Sequence, residues 1–64
     1  MEIERLRYMA DQIARNFAVL GEAEAIAATA NHIANFWEPR MKAQIKADDR
    51  AALTPIVAAA VDRL

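Results

Sequence analysis

Residues 3–21 read IERLRYMADQIARNFAVLG, and the spacing inside this stretch decides the fold. Ile3, Leu6, Ala10, Ile13, Phe17 and Leu20 recur at steps of 3, 4, 3, 4 and 3. Such steps draw an apolar stripe down one side of an α-helix, whose period is about 3.6 residues. The opposite side carries Glu4, Arg5, Asp11, Gln12 and Arg15, with Tyr8 also away from the stripe. Arg7, Asp11 and Arg15 stand at i, i+4 and i+8, the spacing of an ion-pair ladder. Gly21 is predicted to end the helix as a left-handed cap.

A second stripe follows on Ala23, Ile26, Ala30, Ile33 and Trp37, at steps of 3, 4, 3 and 4. Glu22 and Glu24 fall in its first turn, where negative charge favours the helix dipole. Ala23, Ala27, Ala30 and Ala34 would let a neighbouring helix come close, so the first helix supplies bulk and the second supplies room. The short connection at Gly21 makes the two antiparallel neighbours. Pro39 stops the second helix, because proline disfavours helical geometry in the residue before it. It also suits the first position of a new helix. That third helix is predicted from Pro39 to about Ala47, with Met41 and Ile45 on one face. Asp48-Asp49-Arg50 reads as a solvated turn. Thr54-Pro55 reads as a hydroxyl cap followed by proline at the first helical position. The fourth helix runs to Leu64, with Val57, Val61 and Leu64 on one face. The expected architecture is all-α: a small bundle of three to four helices, with a proline bend between helices two and three, forming a single domain over residues 1–64.

A chain of 64 residues buries only about 60% of the surface it exposes when unfolded. Sixteen of its apolar residues are alanine, leaving 20 larger ones for a core. The core is therefore thin, and chains this small are usually held by disulfides, a metal or a partner. There is no cysteine and a single histidine, His32. Disulfides and thiolate metal sites are excluded, and an imidazole zinc site lacks its ligands. A partner is what remains. The net charge of −1 lacks the basic surplus of a duplex-binding domain, so no nucleic acid is expected. No apolar run is long enough to span a membrane. The opening Met-Glu-Ile-Glu-Arg has no signal-peptide character. A cytoplasmic chain beginning at its own Met1 is the expectation.

Groups for chemistry are scarce. The chain has no Ser and no Cys to act as a nucleophile, and one glycine cannot build a phosphate cradle. No catalytic, cofactor-binding or metal-binding residues are assigned. The richest segment is Phe36-Trp37-Glu38-Pro39-Arg40-Met41, which gathers two aromatics, an arginine and a methionine around a proline. Trp and Arg are enriched at the centres of protein interfaces. Trp37 continues the second stripe and reads first as core, whereas Phe36 stands one step off it. His32 falls on the outer side of helix two. Arg40, Lys42 and Lys46 make helix three locally basic. The residues assigned to partner binding are Tyr8, His32, Phe36, Trp37, Arg40 and Met41.

The strings Arg7-Tyr8-Met9-Ala10-Asp11-Gln12-Ile13-Ala14, Ala30-Asn31-His32-Ile33 and Phe36-Trp37-Glu38-Pro39-Arg40-Met41, with the closing Leu53-Thr54-Pro55, carry a resemblance. Together they resemble the delta subunit of cytosolic, NAD-dependent, molybdenum-containing formate dehydrogenases. The resemblance implies a noncatalytic subunit that docks on the large catalytic subunit and aids its assembly, cofactor insertion or stability. It further implies a complex carrying molybdopterin, iron–sulfur clusters and FMN and using NAD, with none of these bound by this chain. Two other readings fit the residues alone. One is a free-standing helical regulator, DNA-binding or antitoxin-like, and the other is a structural homodimer of helical hairpins.

Overall fold

The computed structural model describes residues 2–64. Met1, and with it the expectation of where the chain begins, lies outside the described residues. The chain folds as α1 (Ile3–Phe17), α2 (Glu22–Phe36), α3 (Pro39–Lys46) and α4 (Pro55–Val61). Single 3-10 turns at Ala18–Leu20 and Arg50–Ala52 join them. The all-α class and the break at Pro39 are as the sequence predicts. Pro39 and Pro55 both sit at the start of their helices. Among the described residues no helix is long and apolar enough to cross a membrane.

The core follows the predicted stripes at Leu6, Ala10, Ala30, Ile33 and Trp37 and departs from them elsewhere. On α1 the buried residues are Leu6, Ala10 and Ala14. On α2 they are Ala25, Thr29, Ala30 and Ile33, continued by Trp37 just past the helix end. Both principal rows therefore step by four, 6-10-14 and 25-29-33-37, instead of alternating three and four. The drift moves Ile3, Ile13 and Phe17 to half-buried positions and leaves Leu20 and Ala23 exposed. Bulk and room are shared between the two helices: α1 brings Leu6 with Ala10 and Ala14 to the centre, and α2 brings Ile33 with Ala25, Thr29 and Ala30, followed by Trp37. Of the four alanines expected to admit a helix, only Ala30 is buried; Ala23, Ala27 and Ala34 face outward. Ile45 from α3 and Val57 and Val61 from α4 complete the cluster, with Met41, Leu53 and Leu64 packed against it.

The α1–α2 corner is made by tightening and then by glycine. The Gly21 N–H donates to the Ala18 carbonyl at 3.2 Å, closing the 3-10 turn. Gly21 itself has φ 93° and ψ 158°, so its φ is positive but the expected left-handed helical cap is not formed. The region it occupies is essentially restricted to glycine. A side chain there would meet no neighbouring atom, so the requirement comes from the backbone and not from space. Its carbonyl accepts the first α2 hydrogen bond, from Ala25 N–H at 2.8 Å.

The Asp48-Asp49-Arg50 segment is a polar knot and not a solvated turn. Arg7 reaches across from α1 and donates from Nε and Nη2 to the two Asp48 carboxylate oxygens, both at 2.7 Å. Only 9% of the Asp48 side-chain surface stays exposed, against 34% for Arg7. This bidentate bond diverts Arg7 from the predicted ladder, of which only the Asp11–Arg15 pair forms, at 3.0 Å. Asp49 Oδ1 accepts from Ala51 N–H and starts the second 3-10 turn. Arg50 bonds the Lys46 and Asp48 carbonyls and the Asp62 carboxylate, tying the end of α3 to the end of α4. Thr54, in contrast, makes no side-chain cap bond.

The hydrogen bonds from Arg7 hold the Asp48 carboxyl below the usual aspartate range. Because its pKa is lowered on folding, the stability it contributes is present above the unfolded aspartate value of about 3.9 and is lost as pH falls below it. Asp48→Asn should therefore melt lower than wild type at neutral pH. The gap should close in thermal melts taken below about pH 4. An unchanged gap in acid would show that Arg7–Asp48 is not the linked pair.

Thr29 is fully buried and its hydroxyl has no hydrogen-bond partner among the described residues. An unsatisfied buried hydroxyl costs about 1–3 kcal/mol, and an apolar residue of the same shape removes that cost. Thr29→Val should raise Tm by about 4–8 °C for each kcal/mol recovered in a domain of this size. A lowered Tm would mean that the hydroxyl is satisfied after all.

Candidate docking surface

Alpha-2 carries no Asp, Glu, Lys or Arg from Ala25 through Trp37, in a chain whose charged share is 27%. Several of these residues face outward, among them Ala27, Asn31, Ala34, Asn35 and Phe36. An exposed helix surface without charge is unusual, because ordinary solvated faces are charged and the centres of interfaces are not.

The aromatic residues collect at one side of this helix. Phe36, the last residue of α2, is 73% exposed. Its ring lies 4.8 Å from the His32 ring, one turn back. His32 in turn meets Phe17 from the end of α1, edge to face, at 6.4 Å. Phe17, His32 and Phe36 thus form a row bridging the two long helices. At its α1 end the 3-10 corner adds Val19 and Leu20, 88% and 48% exposed. His32 lies on the outer side of α2, as its position off the stripe predicts. Its contact with Phe17 is not legible in the sequence, where Phe17 and Leu20 both fall on the apolar stripe of α1.

The six residues assigned from sequence separate into two groups. Tyr8, Phe36 and Arg40 are exposed, and His32 is partly so. Trp37 is 7% exposed, within the core cluster, and Met41 packs against that cluster. These two support the surface from beneath. The turn between α2 and α3 explains the split. Trp37 leaves the helix with extended backbone, φ −83° and ψ 144°, which drops its side chain inward. Glu38 stays extended before Pro39 starts α3. Arg40 then stands in the first turn of α3 with no carboxylate partner among the described residues. Tyr8 lies apart from this row, beside Arg7, Asp11, Leu53 and Val57 in a shallow depression of about 240 Å³.

Donors for a metal or cluster are few. The sequence has no cysteine. Among the described residues no three His, Cys, Asp or Glu side chains gather as a metal site requires.

By fold and surface, then, the chain is a small all-α protein whose second helix carries no charged side chain after Glu24 and is edged on one side by an aromatic row. Comparison with protein families matches residues 5–61 to the NADH-dependent formate dehydrogenase delta subunit FdsD. The chain belongs to that family: it is of the delta-subunit type of an NAD-dependent formate dehydrogenase. No curated protein and no solved structure matches it.

Proposed function

We propose that this chain is a noncatalytic, cytoplasmic, single-domain subunit that docks on the large molybdenum-containing subunit of formate dehydrogenase. There it supports assembly, cofactor insertion or stability. Molybdopterin, the iron–sulfur clusters and FMN belong to the other subunits in this reading, and this chain binds none of them. Family membership supports a place in the complex, and the exposed Phe36 ring, tilted against His32, supports the contact. A ring 73% exposed at the end of an uncharged helix surface gains most from being covered. Burying an aromatic side chain contributes about 1.5–3 kcal/mol. Arg40, in the first turn of α3 and without a carboxylate partner among the described residues, adds a donor fork for carboxylates or carbonyls of the partner.

The test compares two arginines. Arg40→Ala should weaken co-purification with the large subunit at least tenfold, the loss of about 1.4 kcal/mol or more. The circular dichroism of the free chain should not change. Arg5→Ala, on the polar side of α1, should leave both unchanged. Equal retention of Arg40→Ala and wild type, with Arg5→Ala lost, would assign the docking surface to α1 around Tyr8. A chain that forms only copies of itself and never retains the large subunit would replace this reading with the homodimer.

A further inference from the structure

Two depressions run into one another on the exposed side of α2, distinct from the Phe17–His32–Phe36 row. One, of about 440 Å³, lies between α2, α3 and the residues after α4, with Ala34 and Ala43 in its wall. The other, of about 380 Å³, continues along α2 past Ala27 and Asn31. They share Ala34, Arg63 and Leu64 and so form one groove.

The charged side chains of this groove have one sign. Lys42, Lys46 and Arg63 line it, and no Asp or Glu does. Lys42 donates from Nζ to the Ala34 carbonyl at 3.1 Å, which caps the last turn of α2 and fixes the ammonium at the groove wall. That bond gives Lys42 a structural purpose of its own. Lys46 and Arg63 have none: neither meets a carboxylate among the described residues. Asp62, next to Arg63 in the chain, is engaged by Arg50 at 2.7 Å. Over residues 39–64 there are five Lys or Arg against three Asp or Glu, although the whole chain is at −1. The unpaired acids Glu22 and Glu24 stand at the far end of α2, in its first turn.

Alanines along the walls leave the backbone of α2 open to close approach, and packed helices lie 8–10 Å apart according to the side chains between them. We propose that this groove receives an acidic amphipathic helix from another subunit of the formate dehydrogenase. Its small apolar side lies on Ala27 and Ala34, and its carboxylates lie on Lys46 and Arg63. The proposal rests on the chain being a subunit of that complex, and it is independent of the aromatic row. A protein helix fits better than a nucleic acid. A polyanion would meet Glu22 and Glu24 further along α2, and the groove has no aromatic ring on which a base could stack.

The absence of cysteine makes the test clean. Ala34→Cys places this chain's one cysteine in the groove, and a thiol-directed photo-crosslinker is attached to the purified full chain before it is returned to the rest of the complex, whose own cysteines would otherwise be labelled. The crosslinked peptide should come from another subunit and carry two or more Asp or Glu within about two helical turns. Adding Lys46→Glu and Arg63→Glu should lower the crosslink yield about tenfold, because like charges now face one another. The chain should keep its circular dichroism. Crosslinking to a second copy of this chain, to nucleic acid, or to a peptide without acids would overturn the proposal. So would an intact complex that gives no crosslink, or a yield unmoved by charge reversal. Failure of the unaltered chain to enter any complex is a different result, and it would overturn the docking reading itself.

Discussion

Trp37→Ala should leave the free chain largely unfolded at room temperature. The indole is 7% exposed and lies in one cluster with Leu6, Ile33, Ile45, Val57 and Val61, which come from all four helices. Removing a buried Trp side chain costs about 3–5 kcal/mol, because the transferred surface is lost and the cavity collapses only in part. At about 0.05–0.15 kcal/mol per residue, a chain of this length has roughly 3–10 kcal/mol in total. The loss is thus of the same size as the whole. The core has little with which to refill the hole, since Ala10, Ala14, Ala25 and Ala60 make up much of its remainder. Circular dichroism should show most of the helical signal gone and no cooperative melt. Co-purification should fail with it, because the α2–α3 turn that sets Phe36 and Arg40 would lose its anchor. Trp37→Phe should restore part of both. If Trp37→Ala melts cooperatively near the wild-type temperature, the packing described for α2 and α3 is wrong.

The elements of the fold were legible because proline and alanine act locally. Pro39 and Pro55 start helices through a fixed φ and a missing N–H, whatever surrounds them. The faces were legible only to within one step of a helical turn. A 3-4-3-4 stripe and a 4-4-4 row differ by a rotation of the helix, and the packing of α1, α3 and α4 around it settles which is buried. That packing is tertiary, so Ala14 and Thr29 are not legible in the spacing, while Ala23 and Leu20 are overvalued by it. The polar knot was hidden for a related reason. Arg7 and Asp48 are 41 positions apart, and nothing in local spacing favours that pair over Arg7 with Asp11. Of the surface, Phe36 and Arg40 were found from residue type alone. The Phe17–His32 contact was not, because it again depends on how the helices pack.

Phe36→Ala should separate binding from folding in the way that Trp37→Ala cannot. The ring is exposed in the free chain, so its removal should shift stability by no more than about 0.5 kcal/mol. Its one ring neighbour is His32, at 4.8 Å, and that contact is on the surface, where water replaces what is lost. In the complex the balance changes. An aromatic at an interface centre is desolvated on all sides, and truncation there commonly costs 2 kcal/mol or more, about thirtyfold in affinity. Retention of the chain by the large subunit should therefore fall by that factor while the melt stays in place. Phe36→Leu, which keeps an apolar body of similar reach, should recover a good part of the binding. Tyr8→Ala provides the comparison, since Tyr8 is 65% exposed on α1 and lies outside the aromatic row. Exposure alone would make the two variants equal. Burial of the row against a partner requires Phe36→Ala to be the worse by an order of magnitude, because only Phe36 belongs to the row. Equal and small losses for both would remove the aromatic row from the interface. The charged groove beside Lys46 and Arg63 would then be the surface through which the chain joins its complex.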